Sequence, residues 1–216
     1  MPRGANKTAG PRERESESPV AKRRCPLWVG YLLLLPFRKL RQHPLKILGP
    51  HVRARMKVLD AGCAMGFFSL PMAGMVGAEG RVFCVDVQPR MLSVLRRRAR
   101  RAGLADRMEL RTCPPESLGL EDLRGSLDFV LAFAVVHEVP DPFRMFSEIL
   151  AALAPAGSVL LAEPKGHVPA PEFETIVREA RRAGFSVLDS PRIGSSRAVL
   201  LGPEARHRGP RPPLEG

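Results

Sequence analysis

Apolar residues along this chain alternate between two patterns. Residues 56–59, 81–85, 127–133 and 158–162 are short apolar runs that suit buried strands, and residues 107–112 read as a further strand. Residues 185–188 and 197–201 read as a final strand pair. Between them, residues 89–102, 142–153 and 171–183 place apolar side chains at helical spacing, the last closed by Gly184, and a helix should follow the first strand from about Phe67. Strands alternating with helices predict an α/β domain over residues 56–202, built on a doubly wound, mostly parallel sheet with helices on both faces.

The ends break the pattern. Residues 1–24 are polar, charged and rich in Pro, Ser and Glu, too poor in apolar side chains to pack, and predict a disordered basic tail; residues 203–216 predict a second one. Residues 26–37 contain Trp28, Tyr31 and four consecutive leucines, Leu32 to Leu35, a stretch too short to span a bilayer and broken by Pro36. Lys22, Arg23 and Arg24 precede it as they would in a secretory leader, but no small-x-small cleavage site follows.

The net charge of +12 changes the picture only at the N-terminus. Residues 1–57 hold fourteen Lys or Arg against three Glu, whereas residues 58–204 hold seventeen against eighteen acids. The folded body is nearly neutral, so no basic groove crosses it and nucleic-acid binding loses its main support. Arg96, Arg97, Arg98, Arg100 and Arg101 are the exception; on a helix they spread over more than one face and read as a solvated surface. Cys25, Cys63, Cys84 and Cys113 form no C-x-x-C pair and have no His at zinc spacing, and no carboxylate cluster implies a divalent metal; Cys63 and Cys84 read as core thiols in a reducing cytoplasm.

Residues 58–66, VLDAGCAMG, carry the chemistry. An apolar strand ends in Asp60 and runs into Gly62, Ala64 and Gly66, small residues that let the backbone turn sharply and approach a ligand. The dinucleotide fingerprint G-x-G-x-x-G fails on spacing. Asp60, two positions before the first glycine, would repel a phosphate and suits a ligand with an ammonium or sulfonium charge. About twenty residues on, a second strand ends at Asp86, where a carboxylate can accept hydrogen bonds from both hydroxyls of a ribose; a helix N-cap is the structural alternative. The fourth strand leads into AVVHEV, which sets His137 and Glu138 at the edge where ligands bind in open α/β sheets. A histidine there can take a proton from a nucleophile near neutral pH, with a carboxylate to orient it or to hold an amine.

On these residues the chain resembles the class I S-adenosylmethionine-dependent methyltransferases, whose first motif, acidic-x-Gly-x-Gly-x-Gly, is matched by Asp60, Gly62, Ala64 and Gly66, with Ala64 in place of the middle glycine. The resemblance implies a Rossmann-like fold of seven strands ordered 3-2-1-4-5-7-6 with the seventh antiparallel, and S-adenosylmethionine as cofactor. It implies cofactor contacts from Asp60, Ala61, Gly62, Cys63, Ala64 and Gly66, from Asp86 and Val87, from Ala134, and from the Cys113 backbone or Glu116 toward the adenine. His137 and Glu138 are then the candidate catalytic pair. VLDAGCAMGFFSLPMA, GRVFCVDVQPRML and LAPAGSVLLAEP look nearest to the branch of ubiquinone/menaquinone C-methyltransferases and arsenite methyltransferases, which implies a small-molecule acceptor, in this reading a lipophilic one. Core placement of Cys63 and Cys84 disfavours arsenite.

By the same resemblance, residues 25–55 are expected to form a helical lid, with helices over residues 27–48 that cover the cofactor and shape the substrate pocket. Arg38, Lys39, Arg41 and Lys46 give that segment a basic flank suited to peripheral contact with an anionic membrane surface. An RNA acceptor bound through the basic N-terminal segment, and a non-catalytic cofactor-binding protein, stay open at this point.

Overall fold

The computed structural model describes residues 43–204. The strands are β1 (Lys57–Ala61), β2 (Arg81–Asp86), β3 (Met108–Thr112), β4 (Leu127–Phe133), β5 (Leu153–Pro164), β6 (Phe185–Asp189) and β7 (Ser196–Pro203). The helices are α1 (Pro44–Leu48), α2 (Ser69–Val76), α3 (Pro89–Arg101), α4 (Pro142–Ala152) and α5 (Ala170–Arg182). One seven-stranded sheet forms in the order β3-β2-β1-β4-β5-β7-β6, with β7 antiparallel to both neighbours and the other described pairings parallel. That is the order implied by the resemblance.

Strands buried on both faces make the two layers possible. In β1, Val58 and Leu59 are both fully buried, and alternation sends Val58 into one apolar layer and Leu59 into the other. The first layer packs Leu48 of α1, Met72 and Val76 of α2, and Leu92, Leu95 and Ala99 of α3; the second packs Met145, Phe146 and Ile149 of α4, and Phe173, Ile176 and Ala180 of α5. α3, α4 and α5 each contribute the apolar stripe that the sequence spacing predicts. Asp141 starts α4 by accepting the Arg144 N–H at 3.0 Å, with Pro142 pre-set in the first turn.

Several boundaries shift. The helix expected from about Phe67 starts at Ser69. The strand expected from residue 107 starts at Met108, because Ala105–Arg107 is a 3₁₀ turn. The largest correction is β5, expected over residues 158–162 but extended from Leu153 to Pro164. Leu153, only 5% exposed, leaves α4 and pairs with Leu127 before the register slips and resumes at Phe129 and Ser158. Pro155 falls in that slip, where its missing N–H removes no ladder bond. Among residues 27–48, where lid helices are expected, only α1 is described; residues 27–42, the remaining basic flank and the two expected tails, apart from Pro203 and Glu204, lie outside the described residues. No helix among the described residues is long and apolar enough to cross a membrane.

Candidate functional site

Parallel strands bring the C-terminal ends of β1, β2, β4 and β5 to one edge of the sheet, and the candidate residues lie along it. The loop after β1 is tied across to β2: the N–H groups of Gly62 and Cys63 both donate to the Val85 carbonyl, at 2.9 and 3.1 Å. Gly62 has φ +71° and Gly66 φ +81°. A Cβ on Gly62 would sit 2.4 Å from the Val135 side chain, which comes from the loop after β4, so a bare backbone here lets two ligand-side loops touch. Ala64 also adopts a left-handed conformation, φ +46°, which costs an L-residue about 1–2 kcal/mol. Its N–H donates to Asp86 Oδ2 at 2.9 Å, an anchor that explains how alanine stands in for the middle glycine.

Gly66 is the stricter position. A Cβ there would lie 2.2 Å from Leu95 Cδ1 in the core of α3, in addition to the left-handed strain. Gly66→Ala is expected to destabilise the fold by about 2 kcal/mol, read as a lower urea midpoint at unchanged slope. A variant as stable as the parent would show that Leu95 and the loop can move apart at little cost.

Asp60 is 3% exposed and accepts a hydrogen bond at 2.5 Å from the hydroxyl of Ser69 at the start of α2. Ala61 and Cys63 are buried beside it. Asp86 reaches the edge itself. One of its oxygens takes the Ala64 N–H and the other the Gln88 N–H, at 2.9 and 2.8 Å. Burial holds its carboxyl above the usual carboxylate range, against the pull of those two backbone N–H groups. Each oxygen has a second lone pair, so the carboxylate that braces the loop can also accept two ribose hydroxyls. Val87 is half-buried next to it. The Cys113 N–H donates to the Asp86 carbonyl at 3.2 Å, burial pushes the Cys113 thiol up to about 11, and Glu116 is exposed. The open glycine loop, the acceptor pair of Asp86 and the small side chains between them fit an adenosyl group.

At the end of β4, Ala134 is left-handed with φ +56° and its N–H is held by the Ala162 carbonyl at 2.7 Å, which turns the chain into the 3₁₀ turn Val136–Glu138. The sequence suggests Glu138 as the carboxylate that orients His137. In the structure Glu138 Oε1 stands 3.9 Å from His137 Nε2, beyond hydrogen-bond range, and the orienting carboxylate is Glu163. Glu163 closes β5 with no solvent exposure, and its Oε2 lies 2.7 Å from His137 Nδ1. Its Oε1 accepts the backbone N–H of Val136 at 2.8 Å and that of His137 at 3.4 Å. A fully buried carboxylate held this way fixes the tautomer: Nδ1 donates to Glu163, and Nε2 is left with its lone pair. The hydrogen bond to Glu163 raises the His137 pKa above 6.5, against burial, with Glu138 and Glu172 adding to the rise.

Glu163 is the residue of the candidate site that sequence reasoning passes over. Its signal is an acid ending the apolar run LLAE on the strand next to the one that delivers His137. Of the arginine run on α3, Arg96, Arg97, Arg100 and Arg101 are exposed as expected, while Arg98 is half-buried and donates to the Met65 carbonyl of the glycine loop.

Known proteins align with this arrangement. The family described as "Methyltransferase domain" matches residues 53–188. A ubiquinone biosynthesis O-methyltransferase of Methylocella silvestris is 33% identical over 139 residues, 63% of this chain and 51% of that protein. A ubiquinone/menaquinone biosynthesis C-methyltransferase of Idiomarina loihiensis is 30% identical over 112 residues, 52% of this chain and 44% of that protein. The chain thus spans about half the length of these curated relatives. The crystal structure of a SAM-dependent methyltransferase from Aquifex aeolicus superimposes with a TM-score of 0.74 at 22% identity, over 82% of this chain and 98% of that one, and shares the fold. With the family matched from residue 53 to residue 188 on this sheet order and this glycine loop, the chain belongs to the class I S-adenosylmethionine-dependent methyltransferases.

Proposed function

We propose that the protein transfers a methyl group from S-adenosylmethionine to a small, partly apolar acceptor, with His137 as the proton acceptor and Glu163 as the residue that positions it. The observation that carries this reading is the 2.7 Å contact between His137 Nδ1 and the fully buried Glu163, on the same sheet edge as Asp86. Asp86 would hold the ribose, and the backbone from Gly62 to Gly66 would face the rest of the cofactor. The bound cofactor would supply an electrophilic methyl on a sulfonium sulfur. His137 Nε2 takes the proton that the acceptor gives up as it bonds to that carbon, and Glu163 stabilises the imidazolium that results. The protein's other task is to hold the acceptor atom in line and keep water out.

The curated relatives carry quinone-biosynthesis names, which supports an apolar ring in the acceptor. An arsenite methyltransferase of Halobacterium salinarum is also 30% identical over 115 residues. Arsenite needs accessible thiolates, and among the described residues Cys63, Cys84 and Cys113 are all buried, with the thiols of Cys63 and Cys113 pushed up by burial, which speaks against that acceptor. The same free, buried thiols suit a reducing cytoplasm.

Calorimetric titration of the full chain tests the reading. S-adenosylmethionine and S-adenosylhomocysteine are expected to bind in the micromolar range and NAD not to bind. Binding of NAD alone would overturn the assignment of residues 60–66.

A further inference from the structure

A cleft of about 490 Å³ lies beside the proposed transfer site and takes no part in it; its walls are the start of α5 and the turn that leads into β7. Two of its lining residues, Lys165 and Arg192, are exposed cations, and Arg197 is a half-buried third. Glu174 is the one acid among them. Arg197 spends one guanidinium N–H on the Val168 carbonyl, at 2.9 Å, which fixes its direction and leaves further donors. The floor includes Ser196, 5% exposed, whose hydroxyl is a buried side-chain polar atom with no hydrogen-bond partner among the described residues. Burying a hydroxyl unpaired costs about 1–3 kcal/mol, a cost that an acceptor oxygen placed here, beside three cations, would offset. Phe173 and Ile193 supply apolar wall.

The cleft communicates with the histidine through one turn. Pro164 follows Glu163 and pairs with Ser196 across the β5–β7 ladder, and the Lys165 N–H donates to the Ser195 carbonyl at 2.9 Å. Two residues on, the His167 ring stands 6.3 Å from the His137 ring. A single turn thus shows His167 to the transfer site and Lys165 to the cleft.

We propose that this cleft receives the anionic end of the acceptor, a carboxylate or a phosphate, through Lys165, Arg192, Arg197 and the Ser196 hydroxyl, while the apolar body of the molecule lies against Ile193 and Phe173. The substrate class is then an amphipathic organic acid rather than a neutral lipid. The ligand's identity as acceptor rests on the methyltransferase reading; its binding to the cleft does not.

The test is titration of the full chain with benzoate, phenyl phosphate and the neutral control benzyl alcohol, with and without S-adenosylhomocysteine. At least one anion is expected to bind about tenfold more tightly than benzyl alcohol, and Arg192→Glu to abolish that preference. Ser196→Ala, which leaves the charges in place, is expected to weaken anion binding severalfold. Both variants keep the S-adenosylhomocysteine affinity of the parent. Equal binding of anion and alcohol, or anion binding untouched by both substitutions, overturns the site. Anion and S-adenosylhomocysteine that exclude each other overturn the acceptor assignment, since acceptor and cofactor must be bound together. A chain that ignores S-adenosylhomocysteine while binding the anions through Arg192 would instead retire the methyltransferase reading and keep the cleft.

Discussion

His137→Ala is expected to lower turnover about a thousandfold and leave S-adenosylhomocysteine affinity within about twofold of the parent. General base catalysis contributes about 10²–10⁴ in rate, and the imidazole is the group on this edge with a free lone pair and a buried carboxylate behind it. Glu163→Gln separates positioning from fold. The amide oxygen can still accept the Val136 N–H, but the amide NH₂ meets Nδ1, which must then accept, and the proton moves to Nε2, where the base has to work. A loss of about a hundredfold is expected. The pH profile is the readout that a merely structural role would not move. Glu163 raises the His137 pKa, so the rising limb of activity in the parent lies above 6.5 and should move down in Glu163→Gln. Stability has the opposite sign. A histidine whose folded pKa is raised stabilises the fold fully below its unfolded value near 6.5, and that contribution disappears as pH climbs through the folded pKa. His137→Ala should therefore flatten this part of the stability curve. Loss of cofactor binding in His137→Ala would move His137 out of the catalytic role and into the cofactor's contacts.

Asp86→Ala is expected to weaken binding of S-adenosylmethionine about a hundredfold, which is about 3 kcal/mol. Two effects add. The ribose loses its charged acceptor, and the loop loses the bond from the Ala64 N–H that holds a non-glycine residue at positive φ. Asp86→Asn keeps one oxygen acceptor and should lose about tenfold. Burial raises the Asp86 pKa, against the Gln88 and Ala64 N–H groups that lower it, so desolvation works against the ionised form that the ribose would meet. Calorimetry on both variants decides it: parental affinity in Asp86→Ala would mean that the ribose lies elsewhere.

The site was unevenly legible in the sequence. The glycine loop and Asp86 were readable because both depend on local rules: small residues where the chain turns, and an acid where an apolar run stops. His137 was readable as a polar residue just past β4. Its partner was not. Glu138 is adjacent in sequence, but in the 3₁₀ turn it ends 3.9 Å from Nε2, and the carboxylate that meets Nδ1 lies 26 residues away on β5. Asp60 was readable as the acid that ends the first strand, but its hydrogen bond from the Ser69 hydroxyl at the start of α2 was not, because that contact depends on how the helix packs on the strand.

The sequence by itself determined which segments are strands and helices, and with them the layered α/β architecture, since burial on both faces of a strand and on one stripe of a helix leaves a direct trace in residue pattern. The resemblance of its motifs carried the strand order. Only the tertiary structure decided which side chains meet. The Glu163–His137 pair, the Ala64 N–H on Asp86, the Val135 side chain against Gly62 and the cationic cleft around Ser196 each join segments from separate strands or loops. Such contacts depend on register and on strand neighbours in the sheet, which no periodicity along the chain encodes.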